Sequence, residues 1–242
     1  MRYSLIRRKL RLTKRDIQNL SCFFYNESNG LLATAFFNLP LNLKRHSVQV
    51  GVTAGQMAMH APGKAIPVGM SREEYANAVR YGCLYHDIGA FLVYNQRRLY
   101  PAAGERFLRE QLGEDRVNGA ARRVILELVQ CCGERYDGRG YPDRLEGEEI
   151  PLHAGICAIA DWLDATVTDH QGMFKDVADI ISESKSIITG NKGTAFSGEA
   201  VECFTSASAE IMRLYKHWQK TPPFWNNSDI KPLDKPIEKS IG

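Results

Sequence analysis

Two imidazoles and two carboxylates stand out in the chain: His46, the adjacent pair His86 and Asp87, and Asp161. Neutral imidazole and carboxylate are the ligands that hold hard or borderline divalent cations such as Mn, Fe, Co, Ni or Mg, and two of each leave coordination positions for water and a phosphate oxygen. A cation held this way lowers the pKa of bound water and stabilises charge on a phosphoryl group. The chemistry on offer is metal-dependent hydrolysis of a phosphoester, with one divalent metal as cofactor. A buried His beside an Asp also serves as a hydrogen-bonded structural pair, so residue types alone leave both roles open.

Successive helical residues diverge by about 100°, so His86 and Asp87 reach one ion together only where a helix points its end at the site. Ser71 followed by Glu74 is a capping-box signature ahead of Tyr75, Ala78, Val79, Gly82 and Cys83, a run that predicts a helix carried into His86 and Asp87, with Gly89 as its stop. Pro101 suits the first turn of a helix to Leu112, where Gly113 supplies the stop. From Val117 to about Tyr136 the positions Ala121, Val124, Ile125, Leu128 and Val129 repeat at helical spacing. A Gly-, Asp- and Pro-rich loop follows, from Asp137 to Pro151. Pro151 then opens a helix with Ile156, Ile159, Ala160 and Leu163 on one face and Asp161 beside that stripe. Two further helices are expected, Phe174 to Ile188 and Glu199 to Lys220, split by a turn from Gly190 to Ser197 and ended by Pro222 and Pro223. No strand-like alternation of useful length and no internal repeat is present, so the expected fold class is all-α.

The chain has 242 residues and is 44% hydrophobic, enough to fill one substantial core. A formal charge of +3 is too slight to imply nucleic acid or an anionic membrane as partner. No run approaches the roughly eighteen apolar residues of a membrane span, and the basic start lacks the apolar stretch of a signal peptide, so a cytoplasmic location is expected. Six cysteines lack the density of a disulfide framework and read as reduced, mostly buried thiols. Residues 1–38 read as a basic helical segment packed on the domain by the leucines of Arg2 to Arg15. Residues 39–220 read as the helical domain, and residues 221–242 as a polar tail pinned at its start by Phe224 and Trp225.

The string YHDIGA, Tyr85 to Ala90, resembles the HDIGK signature of HD-GYP domains in the HD superfamily. GERYDGRGYPDRLEGEEIPLHAGICAIADWLDA, Gly133 to Ala165, resembles that family's second signature, and GTAFSGEAVECF, Gly193 to Phe204, its closing segment. The resemblance implies an HD-domain-like helical bundle, a metal centre, and phosphodiesterase action on cyclic di-GMP. Carried over by position, it makes His46, His86, Asp87 and Asp161 metal ligands, with His86 and Asp87 the catalytic pair, and it puts Tyr141 and Asp137 in contact with substrate.

Other positions depart from the pattern together. Tyr100 stands where the family has the histidine of a His-Pro-x-x-Gly motif, and Cys132, Gly133 and Glu134 stand where it has His-His-Glu. Ala90 replaces the lysine after HDIG, and DHQGMFK, Asp169 to Lys175, replaces a run rich in arginine and lysine. Cys132 reads as a core residue rather than a ligand. A mononuclear site is thus expected, with fewer cations to hold substrate phosphates, which argues against efficient hydrolysis of cyclic di-GMP. Two readings follow. One is a divergent metal-dependent phosphohydrolase acting on a nucleotide or other phosphoester. The other is a catalytically inactive HD-GYP-like signalling module that binds a protein partner or a cyclic dinucleotide. A homodimer is compatible with either.

Overall fold

The computed structural model describes residues 38–93, 96–112, 119–170 and 176–220, together with Leu32, Ala35 and Phe36. The elements that build the site come in the order α1 (Leu41–Ala58), α2 (Arg72–Leu84), α3 (Tyr100–Gln111), α4 (Gly119–Cys131), α5 (Leu152–His170), α6 (Val177–Gly190), α7 (Gly198–Ser206) and α8 (Ser208–Lys220). Short 3-10 turns at Gly63–Ala65, Ile88–Phe91, Arg97–Leu99 and Gly147–Glu149 join them. Among the described residues the extended pairing is confined to isolated bridges, Asp137 with Glu146 and Lys192 with Phe196. The protein is all-α.

The capping box forms as the sequence predicts: the Ser71 hydroxyl accepts from the Glu74 N–H at 3.2 Å and the Glu74 carboxylate accepts from the Ser71 N–H at 2.7 Å. Helix α2 nevertheless stops at Leu84, so His86 and Asp87 lie just past the helix end instead of on it. Helix α4 stops at Cys131, short of Tyr136, because the Glu134 N–H turns back to the Cys131 carbonyl. The single helix expected from Glu199 to Lys220 is two, broken at Ala207. On α8, Ile211, Tyr215 and Trp218 reach the core. Gly113, Val117, Phe174, Phe224, Trp225, Cys22, the Arg2–Arg15 segment and the 221–242 tail lie outside the described residues.

Helix α1 mixes polar and small residues into its buried face, where Lys44, Ser47, Gln49, Gly51, Thr53 and Gly55 lie among Val50, Ala54, Met57 and Ala58. It is the central helix all the same, lying against α2 and α5. Two glycines permit the approach to α2: a Cβ at Gly51 would come 2.9 Å from the Arg80 carbonyl oxygen, and one at Gly55 would come 3.2 Å from the Arg80 Cβ. Around this seam Val50, Met57, Val79, Leu128, Ile156, Leu163 and Phe204 form one continuous apolar core. Cys83, Cys131, Cys157 and Cys203 are buried, Cys132 is partly buried, and all five thiols are free. Among the described residues no helix is long and apolar enough to cross a membrane.

The Gly51 contact makes a first prediction. In an unconstrained helix, replacing glycine gains stability, but here added bulk meets backbone, so Gly51→Val should destabilise by about 1–3 kcal/mol. Thermal and urea melts of the variant check it.

Candidate metal centre

Three segments converge. Helix α1 brings His46, the turn after α2 brings His86 and Asp87, and α5 brings Asp161 and, one turn on, Asp164. His46 is held at both ring nitrogens, with Nε2 2.8 Å from Asp161 Oδ1 and Nδ1 2.8 Å from Asp164 Oδ2. Asp164 is fully buried, and its other oxygen accepts from the Tyr215 hydroxyl at 2.9 Å. A carboxylate behind an imidazole in this way fixes the ring's orientation and leaves the far nitrogen to face a ligand.

His86 is oriented differently. Its Nδ1 lies 2.6 Å from the Cys83 carbonyl oxygen, which can only accept, so Nδ1 carries a hydrogen and Nε2 is the nitrogen left to meet a ligand when the ring is neutral. That Nε2 is buried and has no hydrogen-bond partner. It faces Asp87 Oδ2 at 3.6 Å and Asp161 Oδ1 at 3.8 Å. The two imidazole rings meet edge to face with centroids 5.3 Å apart, and His46, His86 and Asp87 each offer a ligand atom within 4.8 Å of the others. A bare buried nitrogen among carboxylates is an unfavourable arrangement unless a cation joins it. The donor set therefore fits a divalent cation.

Burial by itself would lower the His46 pKa, but the hydrogen bonds to Asp161 and Asp164, reinforced by their charges, raise it to about 10. For Asp161 burial pushes upward and is outweighed by the His46 hydrogen bond and the charges of His86, His46 and Arg97, so its carboxyl is held below the usual range. Metal-free, the site thus keeps a proton on His46 where a metal would otherwise bind. Asp164, Tyr215 and Arg97 are the members that motif reading misses. Asp164 was legible only as a second aspartate three residues after Asp161, and Tyr215 and Arg97 had no signal at all.

The loop from Gly133 to Pro142 closes one side. Gly133 has no side chain to give, and a Cβ there would meet the Tyr141 ring at 2.6 Å, so the ring occupies the space next to this position. Burial, with the neighbouring Cys132, Asp161 and Asp87, holds the Tyr141 phenol above its usual pKa. Asp137 is paired with Arg135 at 3.0 and 2.7 Å and accepts from the Arg139 N–H at 3.2 Å. Buried Glu134 clasps the loop, one oxygen accepting from the N–H groups of Asp143 at 2.7 Å and Arg144 at 3.1 Å. Cys132 donates to the Val129 carbonyl at 3.4 Å, and burial pushes its thiol pKa well up. Tyr100 opens α3 with its backbone against Gly89, where a Cβ would come 2.2 Å from the Tyr100 carbonyl oxygen. Ala90 is half-buried, and Asp169 to Lys175 falls mostly outside the described residues.

Comparison with known proteins identifies the family. The family model for the HD domain matches residues 43–166. A "Cyclic di-GMP phosphodiesterase" of Thermotoga maritima is 28% identical over 187 residues, covering 71% of this chain and 46% of that protein. A "3'3'-cGAMP-specific phosphodiesterase 2" of Vibrio cholerae is 28% identical over 138 residues, 53% of this chain and 26% of that protein. A cyclic di-GMP phosphodiesterase response regulator of Xanthomonas campestris is 27% identical over 189 residues, 71% of this chain and 44% of that protein. The chain spans less than half the length of these relatives.

Two predictions follow from the geometry. Asp164→Asn should lower affinity for Mn²⁺ by about 10–100-fold while leaving the fold intact, as expected when the group behind a ligand is weakened; titration calorimetry reads this. The second concerns pH. His46 has its folded pKa raised from 6.5 to about 10, so in chelator-treated protein its stabilising contribution is complete below 6.5 and is lost as pH rises through about 10. Melting temperature without metal should fall over that window, whereas affinity for Mn²⁺ should rise across it as the competing proton leaves. Melts and titrations at several pH values measure both.

Proposed function

The chain belongs to the HD domain family, and from that premise we propose that it is a metal-dependent phosphohydrolase with one divalent cation held by His46, His86, Asp87 and Asp161, acting on a phosphoester bond of a nucleotide. The observation that carries the reading is the buried His86 Nε2, aimed at Asp87 and Asp161 with no hydrogen-bond partner. A divalent cation there supplies Lewis acidity toward a phosphoryl oxygen and acidifies water.

The protein's own residues do the rest. Asp164 and Tyr215 fix the His46 ring, and the Cys83 carbonyl fixes that of His86. Asp87 and Asp161 offer carboxylate oxygens able to orient a water or take its proton. Tyr141 walls the side nearest Gly133, and Arg97 contributes positive charge that Asp161 feels. The names of the relatives support cyclic dinucleotides as the first substrates to try. The unit responsible is residues 39–220.

A second reading, a catalytically inactive module that binds a cyclic dinucleotide or a protein, draws support from the Tyr141 ring filling the space at Gly133 and from Ala90, which brings no charge to the site.

Purified protein should carry one divalent metal per chain by elemental analysis and hydrolyse at least one member of a panel of cyclic dinucleotides and nucleotides with Mn²⁺. His86→Ala and Asp87→Ala should each reduce turnover beyond the roughly 10–100-fold seen when only an outer-shell group is altered. Bound metal absent and turnover absent would decide for the silent module.

A further inference from the structure

Beside the metal centre lies a cavity of about 500 Å³ whose lining includes three arginines, Arg98, Arg139 and Arg144, with Leu99, Tyr141 and Pro142 between them. All three guanidinium groups are on exposed residues, and among the described residues none forms an ion pair with a carboxylate. Asp137, the acidic side chain that feels Arg139, is already taken in a two-point pair by Arg135. Three arginines lining one concavity give it positive potential, which an anion there would offset.

The backbone points the same way. Arg144 has φ of +58°, a left-handed conformation that costs a non-glycine residue free energy, and it is the one positive-φ non-glycine residue among those described. Two contacts hold it there: Glu134 accepts from the N–H of Arg144 and from that of Asp143 before it. The left-handed turn sets an arginine in the cavity lining at a position where glycine would adopt the turn at no cost.

The cavity also adjoins the chemistry. Tyr141 lines it and at the same time lies close enough to Asp87, Asp161 and Arg97 for their charges to act on its phenol. A volume of about 500 Å³ sits within the ~300–1,000 Å³ typical of small-molecule sites. Arginine suits phosphate through paired N–H donors, and the apolar surface of Leu99, Tyr141 and Pro142 suits a flat base.

We propose that Arg98, Arg139 and Arg144 form a phosphate-binding subsite for a second phosphate of the substrate, remote from the one that reacts. This rests on the reading of His46, His86, Asp87 and Asp161 as the reacting end. It supplies, from a different part of the chain, cations that Ala90 does not.

The test uses full-length protein treated with chelator, so that the metal centre does not contribute, titrated calorimetrically with guanosine 5'-monophosphate and with guanosine. Wild-type and His86→Ala proteins should bind the nucleotide, more weakly as salt rises, and should fail to bind guanosine. Arg98→Gln, Arg139→Gln and Arg144→Gln should each weaken nucleotide binding severalfold and the triple variant should abolish it. Arg144→Gly separates charge from strain: it should lose binding while melting at the same or a higher temperature than wild type. Nucleotide binding that is absent in wild type, unchanged in the triple variant, or matched by guanosine overturns the subsite. Loss of hydrolysis with arginine-dependent binding intact would instead remove the catalytic reading and leave the subsite standing.

Discussion

Everything in the site depends on His46 being gripped from both sides. One carboxylate, Asp161, takes Nε2 and another, Asp164, takes Nδ1, each at 2.8 Å, so the ring has no rotational freedom left. The same contacts tie α1 to α5, and Tyr215 on α8 extends the chain of hydrogen bonds across the bundle. Holding three carboxylates, one of them fully buried, near two imidazoles is favourable only with positive charge among them. A proton on His46 provides it, and a divalent cation held by the same residues would provide it as well.

Close backbone approaches set the rest of the geometry. Gly51 and Gly55 let α1 settle on α2, which brings His46 level with the turn that presents His86 and Asp87. Gly89 lets that turn rest on Tyr100, and Gly140 lets the following loop fold onto Glu134 and Arg135, where a Cβ would come 2.3 Å from backbone. The site is thus positioned by residues without side chains as much as by the ligands themselves, and its walls are as rigid as the seams they close.

Much of this was legible in the sequence. Periodic stretches such as Val124 to Val129, and caps such as Ser71 with Glu74, are local signals, and local signals predict helices. His46, His86, Asp87 and Asp161 were legible as types, and the motif around His86 gave them an order. What escaped were consequences of tertiary contact. Helix α1 is hard to read because Ser47, Gln49, Gly51, Thr53 and Gly55 share its buried face with Val50, Ala54, Met57 and Ala58, which dilutes the apolar pattern. Asp164 and Tyr215 are 51 residues apart, and nothing at either position hints at the other. The break at Ala207 and the early stop of α4 likewise reflect where the core needs each helix to point, not which residues compose it.

The pairing of Gly133 with Tyr141 decides the shape of one wall of the site. The two positions share one volume: the ring at 141 lies where a side chain at 133 would begin. A side chain at 133 would therefore require the ring at 141 to rest elsewhere, and a smaller residue at 141 would leave a void beside Asp87 and Asp161. Position 133 thus sets where the wall stands: with glycine the ring packs onto the loop backbone, and any larger residue carries the ring, and the shape of the wall, to a different place.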